Sequence, residues 1–356
     1  MAGCSSEVVP TNTPSPGDSA PTETPTPTDT PTPTVTPSAT PTPLGPPTPL
    51  ADINAITATG DFGKQPTVSA PYPFSVDKTD ARALIVGTGP DVVADSIIEL
   101  HYIGIDAATG VTFDSSFDRG TMLLTGQDGT FYSNASGQPS PMITGFSKSL
   151  MGQKSGSRVL MVITSADGYD PDGNSGAGIN PGDTLIFVVD ILASSVDAPT
   201  GTHLADGNQW VSVTDNGGKP TAQVIAGMAA PSDLQTTVLT QGTGRPVSAD
   251  DAVYVNFLIQ DYATGKTIEN SYTGEGVATS DASSSGVSPQ IDLLSNLIPG
   301  WRQALLGKPI GSRVLIIVPG NLAYPQGNAT PTIAPNATLV CVVDVLFSFI
   351  PPQQTS

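Results

Sequence analysis

The chain has 356 residues, of which 38% are apolar and 13% are charged, so it is long enough for two ordinary domains with buried cores. Its formal net charge of −19 repels phosphate backbones and anionic lipid surfaces, which excludes nucleic acid as an expected partner. The sequence contains no apolar run of about 18 residues, so no membrane-spanning helix is expected.

The N-terminal residues predict a tether. MAGCSS resembles the end of a bacterial lipobox, in which small residues precede a cysteine that receives lipid, although Met1 stands where leucine is usual and no charged or apolar signal segment precedes it. Residues 10–49 contain 14 Pro and 13 Thr without an aromatic residue, Lys or Arg, a composition that cannot bury a core. We therefore expect residues 1–50 to be a disordered Pro/Thr-rich tether that contacts the membrane only through a lipid on Cys4. The alternative is a disordered tail with an incidental cysteine.

The rest of the chain contains a duplication. LMGQKSGSRVLMVI at 150–163 recurs as LLGKPIGSRVLIIV at 305–318, and GTGPDVVAD at 87–95 recurs as GTGRPVSAD at 242–250. TLIFVVDIL at 184–192 likewise matches TLVCVVDVL at 338–346. A spacing this long indicates duplicated domains rather than a solenoid, and we place the domains at 51–196 and 205–350.

Each copy predicts a sheet with one helix. Apolar and β-branched runs such as SIIELHYIG, RVLMVITS and TLIFVVDIL are bounded by Gly, Pro, Asp and Asn, which is typical of antiparallel strands. In ITGFSKSLMG (143–152) the apolar residues stand instead at i, i+3 and i+7 before a glycine, and LIPGWRQALLG (297–307) repeats this spacing. Each domain is therefore predicted to be an α+β unit with one short helix.

The order of the motifs resembles that of one known family. The first copy reads HYIG (101–104), GVTFDSSFDR (110–119), ITGF (143–146), GSR (156–158), GY (168–169) and INPGDTLIFVVDIL (179–192). Over roughly residues 85–193 this series is similar to the FKBP family of immunophilin peptidyl-prolyl cis-trans isomerases. The resemblance implies, in each copy, a half-wrapped five-stranded antiparallel sheet around one short helix, with an apolar pocket between them.

Carried onto this sequence, the family pattern gives a set of pocket residues in the first copy. The implied catalytic residues are Tyr102, Phe113, Asp114, Tyr169 and Phe187. The implied substrate-binding residues are Arg119, Met142, Ile143, Phe146 and Ile179. Phe146 stands where the family usually has tryptophan, and the insert between Gly120 and Ile143 cannot be aligned.

The implied chemistry is rotation about an X-Pro bond, whose barrier of about 18–20 kcal/mol comes from amide resonance. The twisted state has lost charge separation that water stabilises, so a dry aromatic cup favours it over either planar form. By resemblance, the Ile143 N–H and the Tyr169 hydroxyl hold substrate carbonyls. Asp114 faces the rotating carbonyl and is oriented by Tyr102 and Arg119. Taken alone, FDSSFDR is an ordinary strand end with a surface ion pair.

The second copy departs from the pattern at the polar positions. Phe257, Ile268, Glu269 and Cys341 stand at the positions of Tyr102, Phe113, Asp114 and Phe187, and Arg119 has no counterpart. Ile298, Trp301, Tyr324 and Ile333 remain at matching positions, and together with Phe257 they make up the expected degenerate pocket. We expect a degenerate domain that is weak or inactive as an isomerase and still binds prolyl peptides, with Cys341 as a small buried residue.

The leading hypothesis is an exported, lipid-anchored FKBP-type isomerase that assists the folding of exported proteins at the outer face of the cytoplasmic membrane. Its partners would be X-Pro segments of client proteins, and the resemblance also implies macrolide immunophilin ligands. The alternative is a non-catalytic proline-peptide-binding or chaperone lipoprotein. No cofactor or metal is expected, because DPDGNSGAG (170–178) lacks the acidic twelfth residue of a calcium loop and the chain has only two histidines, His101 and His203.

Overall fold

The computed structural model describes residues 44–133, 139–277 and 289–351. Cys4 and the tether as far as residue 43 lie outside the described residues. Within the described ranges, no helix is both long and apolar enough to cross a bilayer.

The described chain begins with short strands that precede the first sheet. These are β1 (Thr48–Pro49), β2 (Thr57–Thr59), β3 (Thr67–Ser69) and β4 (Phe74–Ser75), with a 3-10 turn at Ile53–Ala55. β1 pairs in parallel with β4, and β2 forms an antiparallel hairpin with β3. Residues 44–50, which the composition assigns to the tether, are therefore part of the fold because β1 is hydrogen-bonded there.

The first copy is an eight-stranded sheet with one short helix. Its strands are β5 (Asp80–Ile85), β6 (Ile97–Asp106), β7 (Thr112–Ser115), β8 (Met122–Gln127), β9 (Thr130–Ser133), β10 (Ser140–Pro141), β11 (Arg158–Ile163) and β12 (Leu185–Ser194). Its helix is α1 (Thr144–Leu150), and 3-10 turns lie at Ser165–Asp167 and Ser175–Ala177. The strand order is β10-β9-β8-β6-β12-β11-β5, with β7 also paired to β6. Three described strands, β8, β9 and β10, come from the insert that could not be aligned, so the sheet is larger than the five strands expected.

The described part of the second copy has nine strands, of which seven repeat this arrangement in one sheet. Its strands are β13 (Thr202–His203), β14 (Val211–Asn216), β15 (Lys219–Val224), β16 (Gln235–Gln241), β17 (Ala252–Asp261), β18 (Thr267–Asn270), β19 (Gln290–Leu293), β20 (Arg313–Val318) and β21 (Leu339–Phe349). Its helix is α2 (Pro299–Leu305), and 3-10 turns lie at Leu294–Asn296 and Gly320–Leu322. The strand order is β13-β16-β20-β21-β17-β18, with β19 paired to β17, whereas β14 and β15 form a separate hairpin.

Alternation along the central strands gives each sheet two buried faces. In β6, Leu100 and Tyr102 belong to the cluster that contains helix α1, whereas Ile103 and Ile105 belong to a cluster with the segment before β5. The helix lies very close to this front face, because a Cβ on Gly145 would stand 2.3 Å from a methyl carbon of Ile163. The confirmed fold is thus an antiparallel sheet with one short helix on its front.

The back of each sheet is covered by a hairpin that the motif order did not predict. In the first copy, residues of the β2–β3 hairpin such as Ala58 and Val68 pack on the back-face cluster. In the second copy the β14–β15 hairpin does the same with the buried Val211 and Val213. Both sheets are therefore buried on two sides, which explains why their central strands are apolar on both faces.

A buried ion pair lies under each hairpin. Arg158 Nε lies 2.6 Å from Asp190 Oδ1, and Arg313 Nε lies 2.6 Å from Asp344 Oδ1. These side chains are at most 5% exposed. Arg158 also donates to the carbonyl of Gly60 at 2.7 Å, at the tip of its hairpin. The repeated GSR and VVD motifs therefore fasten the hairpins to the backs of the sheets.

The two copies meet in a shared apolar cluster. It contains Ile97, Leu123, Ala193 and Val196 from the first copy and Ala252, Tyr254, Ile310, Leu346, Phe347 and Phe349 from the second. The Val196 N–H donates to the Leu346 carbonyl at 3.0 Å, which adds a backbone contact at the junction. Because Val196 is part of this cluster, a cut between the copies would expose apolar surface, and experiments on either pocket are best done with both copies present.

Candidate active site

The β6–β7 hairpin positions the polar side chains of the first pocket. Asp114 on β7 lies opposite Gly104 on β6, and the chain then turns through Ser116 toward Arg119. The Ser116 N–H donates to the Tyr102 carbonyl at 2.9 Å, and the Tyr102 N–H donates to Ser116 Oγ at 2.9 Å. This reciprocal pair holds the loop that joins Asp114 to Arg119 against the strand that carries Tyr102.

Tyr102, Asp114 and Arg119 form one hydrogen-bonded cluster. The Tyr102 hydroxyl donates to Asp114 Oδ2, and Arg119 Nη2 donates to Asp114 Oδ1 at 2.5 Å and to the Tyr102 oxygen at 3.1 Å. Burial, together with the hydrogen bond to the carboxylate, raises the pKa of Tyr102, so its hydroxyl keeps its proton. The Asp114 and Arg119 side chains are 40% and 59% exposed, which places the cluster at the solvent-exposed edge of the site.

Aromatic rings form the wall beside this cluster. The Phe187 ring lies 4.9 Å from Phe146 and 5.6 Å from Phe113, both in edge-to-face geometry, and 6.2 Å from Tyr102. Phe146 and Phe187 are fully buried, whereas Phe113 is half-buried and reaches the surface. The rings converge on Phe187 and form a cup rather than lying apart in the fold.

Gly104 makes this ring packing feasible. A Cβ at Gly104 would stand 2.6 Å from Phe113 Cζ and 2.9 Å from Phe187 Cε1, distances that real side chains do not adopt. Two phenylalanine rings therefore fill the space that a side chain on the central strand would otherwise occupy.

The remaining predicted residues lie around the same cup. Met142, Ile143 and Tyr169 are partly buried against the front-face cluster, and Ile179 is buried within it. Burial raises the pKa of Tyr169, and the charge of Asp114 acts in the same direction. Ile143 is the N-cap residue of α1, and its backbone N–H donates to no other residue of the described ranges. The structure thus brings all predicted first-copy pocket residues to one place.

The insert contributes residues that the sequence analysis missed. Phe131 on β9 is fully buried in the front-face cluster, and its carbonyl accepts from the Met142 N–H at 2.8 Å. Met122 on β8 packs on the same cluster. The alternating apolar residues of MLLTGQDGTFYS were the available signal for a hairpin, but no motif indicated that it would support Met142.

Comparison with known proteins supports this arrangement. The family model for FKBP-type peptidyl-prolyl cis-trans isomerase matches residues 89–192 and again residues 244–346. The chain belongs to this family. The two sheets are therefore two FKBP domains, and the chain carries an isomerase fold in tandem.

Each of three relatives matches a segment of this FKBP chain that is about as long as one domain. An FK506-binding protein from Streptomyces anulatus is 36% identical over 107 residues, which cover 30% of this chain and 78% of the relative. A probable FK506-binding protein from Corynebacterium glutamicum is 30% identical over 131 residues, which cover 37% of this chain and 99% of the relative. The outer membrane protein MIP from Legionella longbeachae is 30% identical over 116 residues, which cover 33% of this chain and 44% of the relative.

The second FKBP domain contains a pocket with a volume of about 340 Å³. Its lining includes all the residues predicted for a degenerate site: Phe257, Ile298, Trp301, Tyr324 and Ile333. The Trp301 ring lies 5.5 Å from Phe257 in edge-to-face geometry, and its indole N–H has no hydrogen-bond acceptor in the described part of the chain. The pocket therefore keeps an aromatic floor.

The polar rim of the first FKBP domain is missing from this second pocket. Glu269 stands at the Asp114 position, and no ion pair to it occurs among the described residues. Burial raises the pKa of Glu269, because the carboxyl faces an apolar cavity without a guanidinium beside it. Cys341 at the Phe187 position is fully buried, and burial raises the pKa of its thiol to about 12, so it acts as a small apolar residue.

Proposed function

We propose that this chain is an exported peptidyl-prolyl cis-trans isomerase whose first FKBP domain is the competent one. The observation that supports this most strongly is the cluster of Tyr102, Asp114 and Arg119 at the rim of an aromatic cup. A fixed carboxylate beside a dry ring-lined wall is the combination that favours a twisted X-Pro bond over a planar one. The domain boundaries that we propose are 51–196 and 205–350, with β1 (Thr48–Pro49) and β13 (Thr202–His203) as strands just before each of them.

In the proposed reaction the prolyl ring enters the cup formed by Phe113, Phe146 and Phe187. The ring-lined wall excludes water, and the twisted amide needs less solvation than the planar forms, so its relative free energy falls. Asp114 would lie beside the rotating carbonyl, and Tyr102 and Arg119 would hold the carboxylate in place. No covalent bond forms or breaks, and no proton needs to move.

The backbone of the substrate would be held by groups on either side of the cup. The Ile143 N–H is free within the described ranges and stands at the start of α1, where it can donate to a substrate carbonyl. The Tyr169 hydroxyl would donate to a second carbonyl, since its raised pKa keeps the proton in place. With Met142 and Ile179, these groups would fix the peptide while one bond turns.

A second function is favoured by the pocket of the second FKBP domain. Its aromatic floor and volume of about 340 Å³ support binding of prolyl segments, whereas the missing guanidinium argues against efficient isomerisation. In this alternative the chain is a non-catalytic binding or chaperone lipoprotein. Macrolide immunophilin ligands would compete for either pocket.

Export and anchoring are supported by the N-terminal composition and by one relative. The Pro/Thr-rich residues that precede the fold suit a tether, MAGCSS suits lipid attachment at Cys4, and the similar protein from Legionella longbeachae is named for the outer membrane. The clients would then be X-Pro segments of exported proteins at the outer face of the cytoplasmic membrane. In the native host Cys4→Ala should move the protein from the membrane fraction to the soluble fraction, and retention in the membrane would overturn the anchor.

The isomerase proposal is tested on the full chain with a proline-containing tetrapeptide. Asp114→Ala should lower kcat/KM by about tenfold or more, equivalent to about 1.4 kcal/mol of transition-state free energy. Glu269→Ala is the matched control in the second domain and should leave the rate unchanged. A wild-type chain that binds the peptide without accelerating exchange would favour the binding function instead.

A further inference from the structure

A row of polar side chains crosses the back of the first sheet, behind the pocket. His101 on β6 lies opposite Asp190 on β12, and Asp190 lies opposite Arg158 on β11. The Gly63 N–H at the tip of the β2–β3 hairpin also donates to Asp190 Oδ2 at 2.7 Å. The row therefore joins the hairpin to His101, which is the residue before Tyr102 and points to the opposite face of the strand.

His101 contacts the loop that carries Asp114 and Arg119. Its Nδ1 lies 3.1 Å from Ser116 Oγ, and its ring stacks on Phe117 with centroids 4.8 Å apart and planes 18° apart. Ser116 and Phe117 stand between Asp114 and Arg119 in sequence. His101 thus holds the loop from behind the sheet, whereas Tyr102 holds it from the front.

The second FKBP domain holds the same loop with groups that do not titrate near neutral pH. Asn256 stands at the His101 position, and its Oδ1 accepts from Ser271 Oγ at 2.9 Å. The Tyr272 hydroxyl, at the Phe117 position, donates to Asp344 at 2.6 Å. The two loops share the serine contact and differ in whether its partner can take up a proton.

We propose that His101 is a positioning residue for the 114–119 loop and that protonation of its ring loosens this loop and lowers isomerase activity in mildly acidic surroundings. This inference rests on the proposed function of the first domain. His101 would act only through Ser116 and Phe117, since its ring lies on the back of the sheet.

The electrostatic surroundings support a neutral ring in the working state. Burial lowers the pKa of His101, whereas the charges of Asp190 on β12 and Glu99 on β6, together with an interaction with the Ser116 backbone, oppose that change. A neutral Nδ1 can accept the Ser116 hydroxyl proton, whereas a protonated Nδ1 would have to donate to Ser116 Oγ, which already accepts from the Tyr102 N–H. The Ser116 hydroxyl proton would then lose its acceptor on the ring, and the ring charge would be attracted to Asp190, whose carboxylate Arg158 already pairs.

The test is a pH profile of the full chain, measured by protease-free NMR exchange on an uncharged proline tetrapeptide. Between about pH 7.5 and pH 5 the wild-type kcat/KM should fall about threefold or more, since histidine gains its charge in this range. His101→Asn, which copies the second domain, should show a markedly flatter profile whatever its absolute rate. His203→Asn is the control, because His203 is 62% exposed and lies in the second copy, and it should keep the wild-type profile.

A spectroscopic readout keeps the proposal testable if His101→Asn does not fold. In the wild-type chain, the amide signals of Ser116 and Arg119 should shift with the titration of His101. Amides that do not follow this titration, or a variant profile that parallels the wild-type one, would overturn the inference. If the wild-type chain accelerates exchange at no pH, the proposed function itself fails, whereas activity with a flat profile overturns only the role of His101.

Discussion

The two FKBP domains place the same strands around their pockets and fill the space between them differently. In the first domain a glycine on the central strand leaves room for the rings of Phe113 and Phe187. In the second domain Ile259 occupies the glycine position, and the two rings are replaced by Ile268 and Cys341. The volume lost from the rings is partly restored by a larger residue on the strand, which is how packed cores tolerate several simultaneous changes.

The polar positions do not show such compensation. Where Asp114 has both Tyr102 and Arg119 as partners, Glu269 faces an apolar cavity with a raised pKa. The comparison indicates that the apolar pocket and the polar rim are separable. The second domain keeps the apolar pocket and has lost the polar rim. Variants that move one domain toward the other can therefore test each part.

The largest loss of stability is expected from breaking the buried ion pair that both domains contain. Arg158→Met leaves Asp190 buried without its partner and removes the donors to Gly60, so the free energy of unfolding should fall by about 3–5 kcal/mol. Arg313→Met should have a similar effect on the second domain. Urea denaturation followed by hydrogen exchange will assign each loss to its domain.

The matched control is replacement of both partners. Arg158→Met combined with Asp190→Leu should recover much of the lost stability, because no unpaired charge remains buried. A single Arg158→Met variant as stable as the wild type would show that the hairpin is held by its apolar contacts alone.

The sequence predicted the parts of the fold that depend on periodicity and on motif order. The spacing in ITGFSKSLMG predicted α1, the repeated motifs indicated two domains, and the resemblance to the FKBP family implied the pocket residues. It did not predict that hairpins cover the backs of the sheets. The ion pair that fastens the first hairpin joins Arg158 and Asp190, which are far apart in the sequence and meet only through the register of β11 and β12. It also missed Phe131, whose role depends on how an unaligned insert folds back onto the helix.

The next effect concerns ring packing. Gly104→Ala places a Cβ within 3 Å of both Phe113 and Phe187, so the rings must move, at a cost of about 1–3 kcal/mol in stability. We expect kcat/KM to fall as well, because the cup is displaced. Ile259→Ala in the second domain is the control and should leave isomerisation unchanged, although it enlarges that pocket. An unchanged kcat/KM in Gly104→Ala would show that catalysis does not depend on the positions of the Phe113 and Phe187 rings.

A smaller effect on the rate is expected from Tyr102→Phe, which introduces the residue type that Phe257 has at the matching position of the second domain. It removes a hydroxyl that donates to Asp114 and keeps the ring near Phe187, so kcat/KM should fall about three- to tenfold, or about 1 kcal/mol. The reciprocal Phe257→Tyr should not raise the rate, since Glu269 has no guanidinium to complete the cluster. Equal rates for Tyr102→Phe and the wild type would show that Arg119 alone orients the carboxylate.

The smallest change in stability should come from Arg119 itself, even though it completes the polar rim. Its side chain is 59% exposed and that of Asp114 is 40% exposed, so solvent screens the pair and Arg119→Gln should alter the free energy of unfolding by no more than about 1 kcal/mol. The rate should nevertheless fall and become less sensitive to salt, because the carboxylate is no longer held by an ion pair that salt weakens. Lys154→Gln removes another exposed ion pair, with Asp91 on the same domain, and is the control for net charge. If Lys154→Gln reproduces the change in salt dependence, the overall charge of this acidic protein governs the rate, and the guanidinium has no special place at the rim.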